Sequence, residues 1–395
     1  MNTAKPSAII LGGGYAGLMA LARIRQSGLA NVTLVDAKAR FEQRVRHHQH
    51  LTGQSTTGMD YANIRDIRFV QERVERVDPH YRLVYLEQQA EPLPYDYLVY
   101  ALGSQPDHHH IAGADRHGLS LHGEAALAGL PARLQGLARQ RAAVSVIGGG
   151  LSGIETATEL AERYPALRVS LISAQPLSQG LCAPAATYLY GALHRLGVEL
   201  VEGSRVRELG KDTLLLGNGE EKASVLSICL AGMRASPLAQ QSGFATQADG
   251  RMAVATDLSL PQATRIFVAG DAGVLQQTDG RALRMSCAVG LPLGAHAGDN
   301  VVASLRGRAT TDFAFGYIFR CISLGRRDGL IQFVDACDNP QEKIWTGYRA
   351  ARTKEWICRY TVTLPWLELR GLRLLRWPQS ATTTLATPLL ETGAR

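Results

Sequence analysis

The stretch Ala8-Ile9-Ile10-Leu11-Gly12-Gly13-Gly14-Tyr15-Ala16-Gly17 decides the fold, because its pattern returns as Val144-Ser145-Val146-Ile147-Gly148-Gly149-Gly150-Leu151-Ser152-Gly153. Each copy is an apolar run, a glycine turn and the start of a helical pattern. In such a strand–turn–helix unit the first glycine makes the turn and the second lets a pyrophosphate approach the backbone. The third lets helix pack on strand. The helix N-terminus then offers free N–H groups and a positive dipole end to the phosphates. One such turn is a weak signal; two, a domain length apart, predict two dinucleotide sites. A chain so built holds one cofactor and exchanges the other, with electrons passing between them.

The repeat runs beyond the glycines. The helix Leu18 to Gln26 leads to Val32-Thr33-Leu34-Val35 and ends at Asp36, where a carboxylate grips a ribose hydroxyl. The helix Ile154 to Arg163 leads to Val169-Ser170-Leu171-Ile172 and ends at Ser173. A serine there lacks the charge that repels a 2′-phosphate, so NADPH is permitted beside NADH. Both modules close on a buried-strand run with small residues at its end, Tyr97 to Ser104 and Val225 to Gly232. A further strand, Arg265-Ile266-Phe267-Val268-Ala269, ends in Gly270-Asp271.

The first turn, the Ala101-Leu102-Gly103 strand end and the Gly270-Asp271 strand end together resemble the two-dinucleotide-binding-domain flavoproteins. Within them the chain is similar to the type II NADH dehydrogenase and apoptosis-inducing-factor-like oxidoreductases, over about residues 7 to 335. The resemblance implies an α/β fold with two Rossmann-like domains. It places an FAD domain in 1–110 and 240–307, an inserted NAD(P)H domain in 111–239, and a smaller α+β region in 308–395 that covers the flavin. FAD is then expected on Gly12, Gly14, Tyr15, Ala16, Gly17, Asp36, Ala101, Gly103, Gly270, Asp271 and Ala288. The nicotinamide cofactor, NAD(P)H, is expected on Gly148, Gly150, Gly153 and Ser173. Glu155 matches a family glutamate near the nicotinamide and flavin rings and is the candidate catalytic residue. The alternative is a carboxylate that only complements the helix N-terminus. Arg44 and Gln49 fall in the polar run Arg44 to Gly53, which passes beside the flavin in the family.

The implied activity is an FAD-dependent NAD(P)H oxidoreductase passing two electrons to a small-molecule acceptor, either a quinone or an aromatic or polyketide-like compound. Type II NADH dehydrogenases usually have a more apolar run at 44–53 and a glutamine motif where this chain has Ser286-Cys287-Ala288, so the acceptor stays open. A flavin monooxygenase or biosynthetic tailoring enzyme, and a redox-sensing flavoprotein, are the alternatives.

Composition sets the remaining bounds. The 395 residues are 46% hydrophobic and 19% charged, values of a folded globular chain rather than a disordered one. No apolar run approaches the roughly 18 residues of a spanning helix, and no leader pattern is visible, which points to the cytoplasm. The six cysteines form no C-x-x-C or C-x₄-C pair, so a local redox dithiol is absent and Cys287 has no sequence neighbour to react with. His108-His109-His110 reads as a solvated hinge and not a metal site, since adjacent histidines point apart. Much of the net charge of +7 gathers at 349–377, where Arg349, Arg352, Lys354, Arg359, Arg370, Arg373 and Arg376, against Glu355 and Glu368, interleave with Trp356, Trp366 and Trp377. That segment is either a peripheral membrane anchor or a helix packed on the body with a solvated basic face. Short helical pieces interrupted by Pro365 are expected there. No recognised module points to nucleic acid, and a homodimer remains open.

Overall fold

The computed structural model describes residues 5–54, 58–123, 127–277, 279–379 and 385–387. The first module opens with β1 (Ser7–Leu11), α1 (Tyr15–Ser27), β2 (Asn31–Asp36), the short α2 (His47–His50), β3 (Arg68–Gln71) and β4 (Tyr97–Tyr100). Next come β5 (Gly118–Leu119), β6 (Ala143–Ile147), α3 (Leu151–Arg163), β7 (Arg168–Ser173), β8 (Glu199–Glu202) and β9 (Leu226–Cys229). The chain then returns with β10 (Ser259–Leu260), β11 (Ala263–Val268) and α4 (Cys287–Leu305), and finishes with β12 (Phe319–Ser323), β13 (Gly329–Val334), β14 (Pro340–Thr346) and α5 (Gly347–Leu369).

Two largely parallel sheets result, in the orders β10-β11-β4-β1-β2-β3 and β8-β7-β6-β9-β5. The first joins strands from before residue 101 to strands after 258, and the second is built from residues between them. β1 and β6 each lie at the middle of their sheet with both neighbours parallel, which is why they read as unbroken apolar runs. The fold is thus α/β, with two Rossmann-type sheets. Helix α1 is buried from Ala16 to Ile24 and lies against α4. A side chain at Gly294 or Gly298 of α4 would collide with the backbone of Ala16 or Ala20, so these glycines let the two helices touch.

The last region departs from the sequence expectation at its basic end. Phe313 to Ile318 is extended but forms no ladder, because its backbone N–H groups go to separate segments: Phe313 to Thr256, Gly316 to Pro378 and Tyr317 to Ala336. The three-stranded antiparallel sheet β12-β13-β14 begins only at Phe319. The basic end is one 23-residue helix, α5, with Pro365 inside it. It stops at Leu369, so Leu372, Arg373, Leu375 and Arg376 lie on irregular chain and form no helical face. That chain is held by buried Glu368, whose carboxylate accepts from Leu374 N, Leu375 N and the Arg23 guanidinium.

Candidate active site

The two glycine turns have the same skeleton. Gly12 N donates to Val35 O and Gly148 N to Ile172 O, both at 2.8 Å. Gly12 and Gly148 have φ of +93° and +121°, and a Cβ on either would strike the carbonyl of Ala101 or Leu230 on the next strand. Gly17 and Gly153 each sit under the carbonyl of the first glycine, where no side chain fits. Gly14 and Gly150 are different: a Cβ there meets nothing within 4 Å. Space therefore lies open beside the N-termini of α1 and α3, where a pyrophosphate fits.

Around the first turn the sequence-predicted residues meet, with one change of role. Asp36 spends both oxygens on backbone, Oδ2 accepting from Gly13 N at 2.6 Å and Oδ1 from Lys38 N at 2.8 Å. It braces the glycine turn, a role beyond the ribose contact expected of it. Tyr61, which the sequence did not single out, covers Gly13 and donates to its carbonyl at 2.8 Å. On the other side Arg44 donates to Ser104 O at 2.8 Å and lies beside Gly103, while Ser104 Oγ donates to Asp271 Oδ2 at 2.6 Å. Gly270 and Asp271 line a small cleft shared with Arg284, Met285 and Gly290 near the start of α4. Ala288 is exposed on the first turn of α4, and the buried Ser286 Oγ before it has no partner among the described residues.

Around the second turn Ser173 is buried under Gly149. It donates to Gln175 O at 2.5 Å, so its hydroxyl proton is already taken. Gly148, Gly150 and Gly153 form the turn itself.

Glu155 lies on the first turns of α3 and is buried. It accepts from Ser323 N at 3.1 Å and forms an ion pair with Lys354 of α5, while His48 Nδ1 stands 3.8 Å away. The reading of Glu155 as a mere complement to a helix dipole is therefore incomplete. Lys354 is also buried; burial, with Arg46 nearby, pushes its ammonium down to about 8, so it stays charged at neutral pH yet gives up its proton readily. His48 is pushed well below its ordinary value, first by burial and then by Lys354, Arg326 and Arg46, so it is neutral. Its Nε2 has no partner among the described residues. Beside this group Arg46 forks onto Glu355 at 2.8 and 3.0 Å and donates to Gln49 Oε1 at 2.9 Å. Burial works against the Glu355 charge, but Arg46, Arg359 and Arg326 together hold its carboxyl down at about 2. Gln49 is thus a brace for Arg46, and the Arg46–Glu355 fork ties α2 to α5.

Cys287 is not isolated. It lies near Tyr15 and Cys358, and Cys321 lies near both Cys287 and Cys358. Burial, with these neighbours, pushes the Cys287 and Cys321 thiols up to about 12, so both are thiols and not thiolates at neutral pH. His48, Lys354, Tyr61, Cys321 and Cys358 were not singled out as site residues from sequence, and Cys287 was read there as having no neighbour to react with. His48 and Lys354 looked like surface bases there, since only the tertiary fold buries them.

Residues 6–287 match the family model for pyridine nucleotide-disulphide oxidoreductases, and the chain belongs to that family. It is an FAD-dependent oxidoreductase that uses NAD(P)H. An NADH dehydrogenase-like protein of Mycobacterium tuberculosis is 31% identical to it over 321 residues, 75% of this chain and 80% of that one. A type II NADH:quinone oxidoreductase of Staphylococcus epidermidis is 24% identical, covering 82% and 88%. Among solved structures, the sulfide:quinone oxidoreductase of Aquifex aeolicus superposes with a TM-score of 0.79 at 17% identity, covering 93% of this chain and 92% of the other, a likeness of fold.

Proposed function

We propose that the protein passes two electrons from NAD(P)H to a quinone. One arrangement carries this reading: the buried Glu155–Lys354 pair with His48, set between the second glycine turn, α2 and α5. The relative named a type II NADH:quinone oxidoreductase supports the acceptor class. FAD, when bound, supplies the hydride acceptor and returns the electrons as a pair. We assign its phosphates to Gly12, Gly14, Tyr15, Ala16 and Gly17, its ribose to Asp36, and its remaining length to Ala101, Gly103, Gly270, Asp271 and Ala288, with Arg44 and Gln49 beside the ring end. We assign NAD(P)H to Gly148, Gly150, Gly153 and Ser173.

The overall step is NAD(P)H + H⁺ + quinone → NAD(P)⁺ + quinol, so one proton per turnover must come from solvent. Lys354 holds that proton next to the acceptor, Glu155 fixes the ammonium, and neutral His48 leaves Nε2 free to hydrogen-bond a carbonyl. The outer side of α5 fits a lipid-soluble acceptor. Tyr348, Trp356, Tyr360 and Trp366 are exposed on it; Arg352 lies over Tyr348, Trp356 stacks on Tyr360, and Arg370 lies over Trp366 at 3.3 Å. Aromatic and arginine side chains so arranged suit the headgroup zone of a membrane, and no helix among the described residues is long and apolar enough to cross one.

The test is the rate of NADPH and NADH oxidation by the FAD-loaded protein with and without a short-chain ubiquinone, with peroxide followed in parallel. Quinone should raise the rate at least tenfold and suppress peroxide. A rate that ignores quinone while peroxide accumulates in step with NAD(P)H would replace this reading with an oxygen-using one.

A further inference from the structure

One helical turn beyond Glu155, α3 buries a second acid. Glu159 is 1% exposed. Its Oε1 accepts from Thr52 Oγ1 at 3.1 Å and from Gln54 Nε2 at 3.2 Å, and its Oε2 is buried with no partner among the described residues. A buried carboxylate oxygen without a donor is costly, whereas a carboxylic acid, or a carboxylate holding a water, is not. The groups facing it are Thr52 and Gln54 from the chain after α2, Arg326 from the loop between β12 and β13, and Glu162 from its own helix, with Glu155 four residues earlier on that helix. Glu162 accepts from Arg326 N at 2.6 Å, and Lys354 and His48 face Glu155. Gln54 is half-buried, so this group begins near solvent and ends at the Glu155–Lys354 pair.

Residues four apart on a helix are neighbours, about 5–6 Å between Cβ atoms. Rotation of the Glu159 carboxyl, or one water at its Oε2, would span that gap. We propose that Glu159 relays the solvent proton from the Thr52–Gln54 opening to Glu155 and Lys354, from which it reaches the acceptor. The proposal rests on the quinone reading for its last step. Burial pushes the Glu159 carboxyl up to about 7, against the opposing pull of Arg326 and Thr52, so it both takes and gives a proton near neutral pH. Its sign is testable without turnover. An acid whose pKa is raised in the folded state contributes stability that is complete below the unfolded value, near 4.5, and lost as pH rises through about 7.

The test compares FAD-loaded wild type with Glu159→Gln, which keeps the size and hydrogen-bonding capacity but carries no proton, and with Thr52→Val, which removes the donor. Ferricyanide accepts electrons without taking a proton; a short-chain ubiquinone needs one. Glu159→Gln should keep NAD(P)H:ferricyanide activity within about twofold. It should lose quinone reduction on the order of 10-fold or more and gain a solvent deuterium isotope effect on that step. Its melting temperature should also stop falling between pH 4.5 and 7, and Thr52→Val should show a milder quinone defect. Wild-type quinone rates and isotope effect in a folded Glu159→Gln protein overturn the proposal, and so does an unchanged pH slope of melting. A wild type that reduces ferricyanide but no quinone refutes the acceptor assignment instead; the melting slope then decides on Glu159 alone.

Discussion

The two glycine turns share a backbone and differ in what surrounds them. The first is clamped: Asp36 accepts from Gly13 N, Tyr61 donates to Gly13 O, and α4 presses on α1 through Gly294 and Gly298. The second has no carboxylate under Gly149, only Ser173 engaged with Gln175, and its helix carries Glu155 and Glu159 toward other elements. A nucleotide held by a rigid, many-sided cradle dissociates slowly, since binding need not order it; a less braced turn suits a substrate that comes and goes. With FAD on the first turn and NAD(P)H on the second, as proposed, the same local motif would serve as a permanent mount in one place and as an exchange site in the other.

The strongest test of that contrast uses the open position of each turn. Gly14→Val adds a side chain that meets no protein atom, so the protein should fold, yet the valine fills the pyrophosphate space and the purified protein should be colourless. The matching Gly150→Val should stay yellow and lose reduction by NAD(P)H. Absorbance at 450 nm and rapid-mixing flavin reduction read both outcomes, and a yellow Gly14→Val protein would break the assignment of the first turn.

Lys354→Met should lower quinone reduction by about 10²-fold, the usual scale for a positioned proton donor. It leaves Glu155 buried without its cation, so stability should fall by about 3–5 kcal/mol, measured by urea titration. The wild-type rate should fall as pH rises through about 8, where Lys354 loses its proton, and Lys354→Arg should move that limb upward. A rate flat from pH 7 to 9 would deny Lys354 this role.

Ser173→Asp copies the first module into the second. An aspartate there should accept from Gly149 N as Asp36 does from Gly13 N, and face a 2′-phosphate with a negative charge. Preference should shift toward NADH by about 1–3 kcal/mol in the ratio of flavin-reduction rate constants. An unchanged ratio places Ser173 away from the ribose.

The smallest effect belongs to the outer side of α5. Trp356→Ala with Arg352→Ala should weaken co-sedimentation with vesicles containing anionic lipid several-fold while ferricyanide turnover is unchanged. Equal sedimentation of variant and wild type would leave that stripe as a solvated helix face.

The sequence alone determined what depends on local order: two glycine turns after buried strands, a helix after each turn, the Gly270-Asp271 strand end, and the cofactors that such turns imply. These are legible because strand period, glycine φ and helix starts act over a few residues. The tertiary structure decided the rest. Lys354 and Glu355 stand side by side in a basic helix that reads as one exposed face, yet one pairs with Glu155 and the other with Arg46. Tyr61 reaches Gly13, and Cys287 gains Cys321 and Cys358 as neighbours. Such contacts join residues far apart in the chain, and no periodicity records them. Burial then turns Lys354 of α5 and Glu159 of α3 into groups that exchange protons near neutral pH, because desolvation acts on a charge only after the fold has closed around it.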